Sequence, residues 1–397
     1  MKAHPKVAVA LPDSKPWGIT RFFNGVNEYA REHKWLLTSC PVNPENSDGF
    51  PIPTDWSRLK SWHVDGVILQ SNSPEKSKLF RKLGVPMVNI GENLGAGDSI
   101  PRLALNNTQV ARLAAEHLIG LGLKHLAYHG VKDRCYSAER LQGFNQVAKQ
   151  SKLKVNSFCM PHMIKDALWN ERYELVKRWL KKLPLPVGIF AVSDYRALII
   201  LSACKDLGLR VPEDVAVIGV DNDLMVCEFS IPTLTSVCVN PYRMGLEAAR
   251  LLDGLMRGEP PPSKPILIEP TEVVARASTN VLHITDPAVK KAIEFMQSHF
   301  SEPIKIDTVA EAVGVSRRLL EMRFRSERNT SPAEFLIHLR LQKAKSMIVS
   351  QTHRPTEEIA RTSGFGTGKN LRAAFRRILN ASPNDFRPNS IHAADNG

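Results

Sequence analysis

Val309-Ala310-Glu311-Ala312-Val313-Gly314-Val315-Ser316 recurs fifty residues later as Ile359-Ala360-Arg361-Thr362-Ser363-Gly364-Phe365-Gly366. Each copy reads as a short helix stopped by glycine, the residue that accepts the left-handed backbone of a tight helix-to-helix turn. In the first copy Ser316 is placed to cap a second helix. That helix sets Leu320 and Phe324 one turn apart, and Leu371 and Phe375 hold the same positions in the second copy, so both pairs are expected in a core. At about 100° per residue, the opposite faces carry Arg318, Met322 and Arg325 in one copy and Lys369, Ala373 and Arg376 in the other. These are two helix-turn-helix units, spanning about 306–328 and 356–379.

A single basic helical face reads as ordinary solvated surface, but the same pattern twice favours two faces built for the DNA major groove. The stretch 317–328 alone holds five arginines, suited to phosphate or to bidentate pairing with guanine. Candidate DNA-contacting residues are Ser316, Arg317, Arg318, Met322 and Arg325 in the first unit, and Thr367, Lys369, Asn370, Arg372 and Arg376 in the second. Pro332 to Ser350 reads as one long helix joining the units, with Phe335, Leu336, Leu339, Lys343 and Met347 spaced to bridge them.

Before residue 277 the pattern differs. Apolar runs at 7–11, 65–70, 86–90, 125–130, 187–193 and 214–221 read as strands buried on both faces, alternating with helical-period stretches at 22–33, 109–121, 138–150, 170–182 and 195–207. Strand then helix, repeated, predicts parallel sheets flanked by helices, with ligands received beyond the carboxyl ends of the strands. The chain of 397 residues exceeds what one hydrophobic core holds, so an α/β domain over 1–282 and an all-α domain over 283–390 are expected.

Composition narrows the function. Net charge is +13, and residues 283–390 hold 18 Lys and Arg against 11 Asp and Glu, so basic density rises where a polyanion would be met. The start, Met1 to Pro5, leads into no long apolar run, which predicts a cytoplasmic, nucleoid-associated protein without membrane contact. Six cysteines without C-x-x-C spacing suit reduced, buried thiols better than a disulfide frame or zinc site.

Neither H-E-x-x-H nor G-x-S-x-G occurs, and His125 and His129 share a predicted strand at a spacing that suits helices. No enzyme, metal site or cofactor is therefore expected. Gly364 to Asn370 fails as a phosphate loop: it has three residues where four are needed before Gly-Lys, and Asn follows instead of Ser or Thr.

Residues 284–388 resemble the AraC/XylS family of regulators, through Ile359-Ala360, Gly364-Phe365, Phe375-Arg376-Arg377, Ser382-Pro383 and Phe386-Arg387. One departure is Gly366-Thr367-Gly368-Lys369-Asn370 in place of a Ser-rich opening, which predicts a looser start to the second recognition helix. The α/β part resembles the periplasmic-binding-protein-like effector domain of LacI/GalR-type repressors. That resemblance rests on Asp65-Gly66-Val67-Ile68, Arg140-x-x-Gly143-Phe144, Val211-Pro212-Glu213-Asp214-Val215 and Gly219-Val220-Asp221-Asn222-Asp223, followed by Pro232-Thr233-Leu234-Thr235-Ser236-Val237.

Together these resemblances imply a two-lobed domain, about 5–106 with 238–270 and 107–237 with 271–280, closing on an aldopentose such as D-xylose. They also imply a homodimer that activates sugar-utilisation genes with RNA polymerase. Another aldose, a degenerate pocket answering to partners, and a sugar-transport protein are the alternatives.

A sugar site needs carboxylates, Arg or Asn to bracket hydroxyls and an aromatic ring to cover a face. Asp221 and Asp194 each end a predicted strand and lead the candidates. Arg140, Arg196, Asn222, Glu139 and Asn107 follow, with Trp17 placed to stack on the sugar. Ser71-Asn72-Ser73 departs from the carboxylate-rich loop that the resemblance leads one to expect.

Overall fold

The computed structural model describes residues 4–11, 16–39, 59, 62–70, 78, 80–91, 100–132, 134–161, 169–281, 284, 286–328, 330–350, 354–379 and 382–386. The expected Ser71–Ser73 loop and the Gly95–Gly97 turn lie outside the described residues, as does the side chain of Trp17.

The apolar runs form two sheets. The first is parallel, in the order β2 (Leu36–Ser39), β1 (Lys6–Ala10), β3 (Gly66–Leu69), β4 (Met87–Asn89). The second runs β12 (Glu272–Val274), β10 (Thr235–Cys238), β9 (Val215–Val220), β8 (Val187–Ala191), β6 (His125–Val131), β7 (Val155–Met160), parallel except for the β12 edge. A separate parallel pair joins β5 (Leu103–Leu105) to β11 (Ile266–Ile268).

Both sheets are buried on both faces, which is why their strands read as unbroken apolar runs. In β9, Ala216, Ile218 and Val220 enter one core with Leu118 and Phe144, while Val215 and Val217 enter the opposite core with Ile200 and Leu201. β1 repeats the alternation, with Val7 and Val9 on one side and Ala8 and Ala10 on the other.

After β10 the chain returns to the first sheet as the helix Pro241–Met256, which packs against α1 (Pro16–Glu32) through Phe22, Val26, Ala248 and Leu252. Glycines permit that approach: a Cβ on Gly25 would strike the Tyr242 carbonyl, and one on Gly245 the Phe22 carbonyl. Tyr29 donates to Asp253 across the contact at 3.0 Å. Burial first, and then the Asp253 charge, push this phenol up to about 12.

Beyond residue 286 the described residues are helical, as expected. Pro287–His299, Ile306–Ala312 and Arg317–Arg328 share a core of Val289, Ile293, Met296, Val309, Leu320 and Phe324. The long helix Pro332–Ser350 opens with a capping box, in which Ser331 Oγ accepts from the Glu334 amide at 3.2 Å and Glu334 accepts from the Ser331 amide at 2.9 Å.

Its seam departs from the expected one. Phe335 and Leu336 pack with the first unit, but the second unit receives Leu341, Ala344, Met347 and Ile348, and Lys343 is exposed. The two ends serve cores on different sides of the rod, so one continuous stripe cannot describe it.

Candidate functional site

The carboxyl ends of both sheets face one cavity of about 330 Å³. Leu11 follows β1, Gln70 follows β3, Ile90 and Gly91 follow β4, Ser193 follows β8 and Asp221 follows β9. This is the crevice where open α/β sheets receive ligands. Its volume lies at the low end of the roughly 300–1,000 Å³ usual for small-molecule sites.

Four expected ligand residues meet on its wall: Asp221, Arg140, Glu139 and Asn107. Three of them are linked in series, with Arg140 Nε donating to Asn107 Oδ1 at 2.9 Å and Asn107 Nδ2 donating to Glu139 Oε2 at 2.7 Å. Arg140 also donates to the Val192 carbonyl and lies over the Tyr136 ring, 5.4 Å from its centroid. Asn107 is free of capping duty because Asn106 caps that helix, accepting from the Gln109 amide at 3.2 Å. A guanidinium, an amide and a carboxylate locked to one another present fixed donors and acceptors, with little left to order when a ligand arrives.

Three expected residues stand off the wall. Asp194 is fully buried beneath the Asp221 turn, accepting from the Asp223 amide at 2.8 Å, from Ser236 Oγ at 2.6 Å and from Cys227 Sγ at 3.5 Å. Burial, and then the charge of Asp221, hold its carboxyl well above the usual carboxylate range. The strand ends at Ala191, earlier than its apolar run suggests, so Asp194 starts a helix and turns inward. Gly219 belongs to this packing, since a Cβ there would strike the Asp194 carboxyl group.

Arg196 is 7% exposed and donates to the Pro161 carbonyl at 2.9 Å. Asn222 accepts from Arg276 at 3.0 Å and points away from the cavity.

Gln70, Arg102, Tyr136, Phe22 and Cys135 line the cavity without having been singled out in the sequence. The signal available for Tyr136 was its position three residues before Glu139 on one helix, which places both on neighbouring turns. Arg102 had none, because it precedes a three-residue strand whose partner lies some 160 residues away.

Among the described residues no group of His, Cys, Asp and Glu is arranged to hold a metal. His129 is a buried core side chain stacked on Phe158, and burial pushes it down to about 3.

The helical region keeps its two recognition faces open. Leu320, Phe324, Leu371 and Phe375 are fully buried, while Arg318, Met322, Arg325, Lys369, Asn370, Arg372 and Arg376 are exposed. Gly314 and Gly364 take φ of 72° and 80° at the two turns, the left-handed backbone expected of them. Ser316 accepts from the Leu319 amide at 3.3 Å, and Arg317 is held by Glu321 at 2.9 Å and Asp307 at 3.1 Å.

The second recognition helix is not loose at its start. Thr367 accepts from the Asn370 amide at 3.3 Å, and Glu357 reaches from the preceding helix to accept from the Gly368 amide at 2.8 Å. It equals the first in length but not in kind, an α-helix over Gly368–Ala374 continuing as a π-helical turn, Phe375–Leu379.

A ligand cavity at the switch point of two parallel sheets, joined to paired helix-turn-helix units, defines a sugar-responsive DNA-binding transcription regulator. Residues 115–279 match the periplasmic binding protein-like domain and residues 309–389 a helix-turn-helix domain. The xylose operon regulatory protein of Escherichia coli strain K12 is 30% identical over 336 residues, 83% of this chain and 85% of that protein. Its namesake from Haemophilus influenzae is 28% identical over 371 residues, 92% and 94% of the two chains. A solved xylose-binding transcription activator superposes with a TM-score of 0.59 at 26% identity, covering 97% of this chain and 98% of that one. The chain belongs to the xylose operon regulatory protein family.

Proposed function

We propose that the protein activates sugar-utilisation genes in response to an aldopentose, D-xylose or a close relative. The observation that carries this reading is the linked Asn107, Glu139 and Arg140 facing the cavity with Asp221, opposite Gln70 and Arg102. Carboxylates and a guanidinium bracket ring hydroxyls, while Tyr136 and Phe22 offer rings to C–H faces. The names of the relatives, which are xylose regulators, favour a pentose over a hexose.

The proposed effector domain spans 1–282, with lobes about 5–106 with 238–270 and 107–237 with 271–280, and the DNA-binding domain spans 283–390. Arg318, Met322 and Arg325 enter one major groove. The second recognition helix offers Lys369, Asn370, Arg372 and Arg376 to the next, about 34 Å along the duplex. Ser316, Arg317 and Thr367 fix the openings of the two helices. The working unit is a homodimer in the cytoplasm that recruits RNA polymerase. No helix among the described residues is long and apolar enough to cross a membrane, which accords with that setting.

Calorimetry with D-xylose, its epimers and common hexoses tests the effector. D-xylose or one epimer binds, and Asp221→Ala and Arg140→Ala each weaken it by about 1–3 kcal/mol, the cost of an unmatched buried polar group. Tighter binding of a hexose, or affinity indifferent to both substitutions, would overturn the assignment.

A further inference from the structure

One guanidinium stands between the turn at the cavity wall and a second cavity that borders the helical region. Asp221, which lines the cavity, and Asn222, which follows it, take φ of 111° and 51°, a backbone that side chains other than glycine rarely hold without help. Help comes from two sides. Ser236 Oγ accepts from the Asn222 amide at 3.0 Å, and Arg276 donates to Asn222 Oδ1 at 3.0 Å.

Each of the other two guanidinium nitrogens of Arg276 also has a partner. Its Nε donates to Glu228 at 2.7 Å and its other terminal nitrogen to the Leu234 carbonyl at 3.0 Å, with the side chain 10% exposed. Its backbone exchanges hydrogen bonds with Thr235 Oγ1, at 2.8 Å from its amide and 3.2 Å to its carbonyl. One side chain therefore ties the Asp221–Asn222 turn to both ends of the segment between the helix Leu224–Phe229 and β10.

Arg276 also stands where β12 has ended and the backbone turns toward the DNA-binding helices. It lines a second cavity, of about 750 Å³, whose far wall is Lys290, Glu294 and Gln297 of the helix Pro287–His299. Asp286 caps that helix, accepting from the Ala288 amide at 2.8 Å, and pairs with Arg323 of the first recognition helix at 3.5 Å. A residue serving only local packing has no need to sit both on the cavity turn and at the root of this connection.

We infer that Arg276 is the positioning residue that couples the sugar cavity to the DNA-binding helices, by holding the Asp221–Asn222 turn and passing its displacement to Ala277–Thr279, which follow it. Any ligand that engages Asp221 must act on a turn whose next side chain is in the grip of Arg276. The turn suits that role because its backbone is held in place by neighbours and not by its own preference, so a ligand that moves Asp221 works against the grip of Arg276. This rests on the reading that sugar occupies the cavity beside Asp221.

The test uses the full-length protein with D-xylose as the probe and a DNA fragment that the unaltered protein selects from a random pool. Arg276→Lys keeps the charge and removes the fork. Asn222→Gly removes the acceptor and keeps the backbone comfortable. D-xylose changes the DNA affinity of the unaltered protein by about fivefold or more. Both variants bind D-xylose within about threefold of the unaltered affinity, while their DNA response falls below about twofold, and the double variant loses nothing further because the same bond is gone.

A retained DNA response in both variants overturns the inference, as does a loss of sugar affinity with the response intact. If the unaltered protein neither binds D-xylose nor responds to it, the sugar reading itself fails and the coupling role falls with it.

Discussion

The two helix-turn-helix units share a sequence pattern but are built differently. The first has a twelve-residue recognition helix whose opening rests on the Ser316 side chain and whose glycine, Gly314, turns in open space. The second has a seven-residue α-helix ending in a π-helical turn, a start held by both Thr367 and Glu357, and a glycine pressed against Phe300, just after the helix Pro287–His299. A Cβ on Gly364 would strike the Phe300 carbonyl, which also accepts from Arg340 Nε at 2.8 Å. The first unit presents one regular α-helical face, and the second ends in a π-helical turn and is held at its start by two side chains. A repeat can therefore conserve its turn while its copies differ in helix geometry and anchorage.

The glycines give the largest expected contrast. Gly314→Ala costs about 1–2 kcal/mol for a left-handed residue with room around it. Gly364→Ala costs more than about 3 kcal/mol, because the same strain is joined by a collision with backbone that cannot withdraw. Denaturant unfolding of the two variants measures the difference. Equal losses would show that the second turn is not clamped against the Phe300 backbone.

The recognition faces come next. Arg318→Ala is expected to lower discrimination between selected and scrambled DNA by about 1–3 kcal/mol. Lys369→Ala, on the helix that ends in a π-helical turn, is expected to weaken both DNAs alike and to flatten the salt dependence by about one unit of slope. Binding titrations at several salt concentrations decide, and a reversed pattern would assign base reading to the second unit.

The caps set the smallest effect. Ser316→Ala costs about 1 kcal/mol, the usual loss for a hydroxyl cap, and Thr367→Ala about half that, since Glu357 still takes an amide at the same helix start. Glu357→Ala together with Thr367→Ala should then exceed Ser316→Ala. Additive, equal losses for the single caps would show that Glu357 lends no support.

The sequence made the repeat legible because local periodicity and two glycines carry it, and Leu320, Phe324, Leu371 and Phe375 were readable as core. The central strands were legible for a similar reason, since burial on both faces leaves unbroken apolar runs. The edges were not. β5, β11 and β12 are three residues long and exist through pairing with distant segments, which leaves no local trace.

The same division runs through the site. Asp221, Glu139, Arg140 and Asn107 follow strands or stand near helix starts at the crevice, and all four line the cavity. Asp194 sits at an equally suggestive position, but its direction depends on where the strand ends and on Ser236 and Asp223 beneath the turn. Gln70 follows β3 of the first sheet and Arg102 precedes β5 of the separate pair, so only the tertiary arrangement brings them to the same cavity.

The central claim is that sugar in the cavity sets the DNA affinity of the paired units. It is tested most directly by measuring the affinity of the full-length protein for its selected DNA with and without saturating D-xylose, alongside Asp221→Ala. The account predicts a change of about fivefold or more in the unaltered protein and none in the variant. Identical DNA affinity with and without a sugar that calorimetry shows to be bound would contradict it.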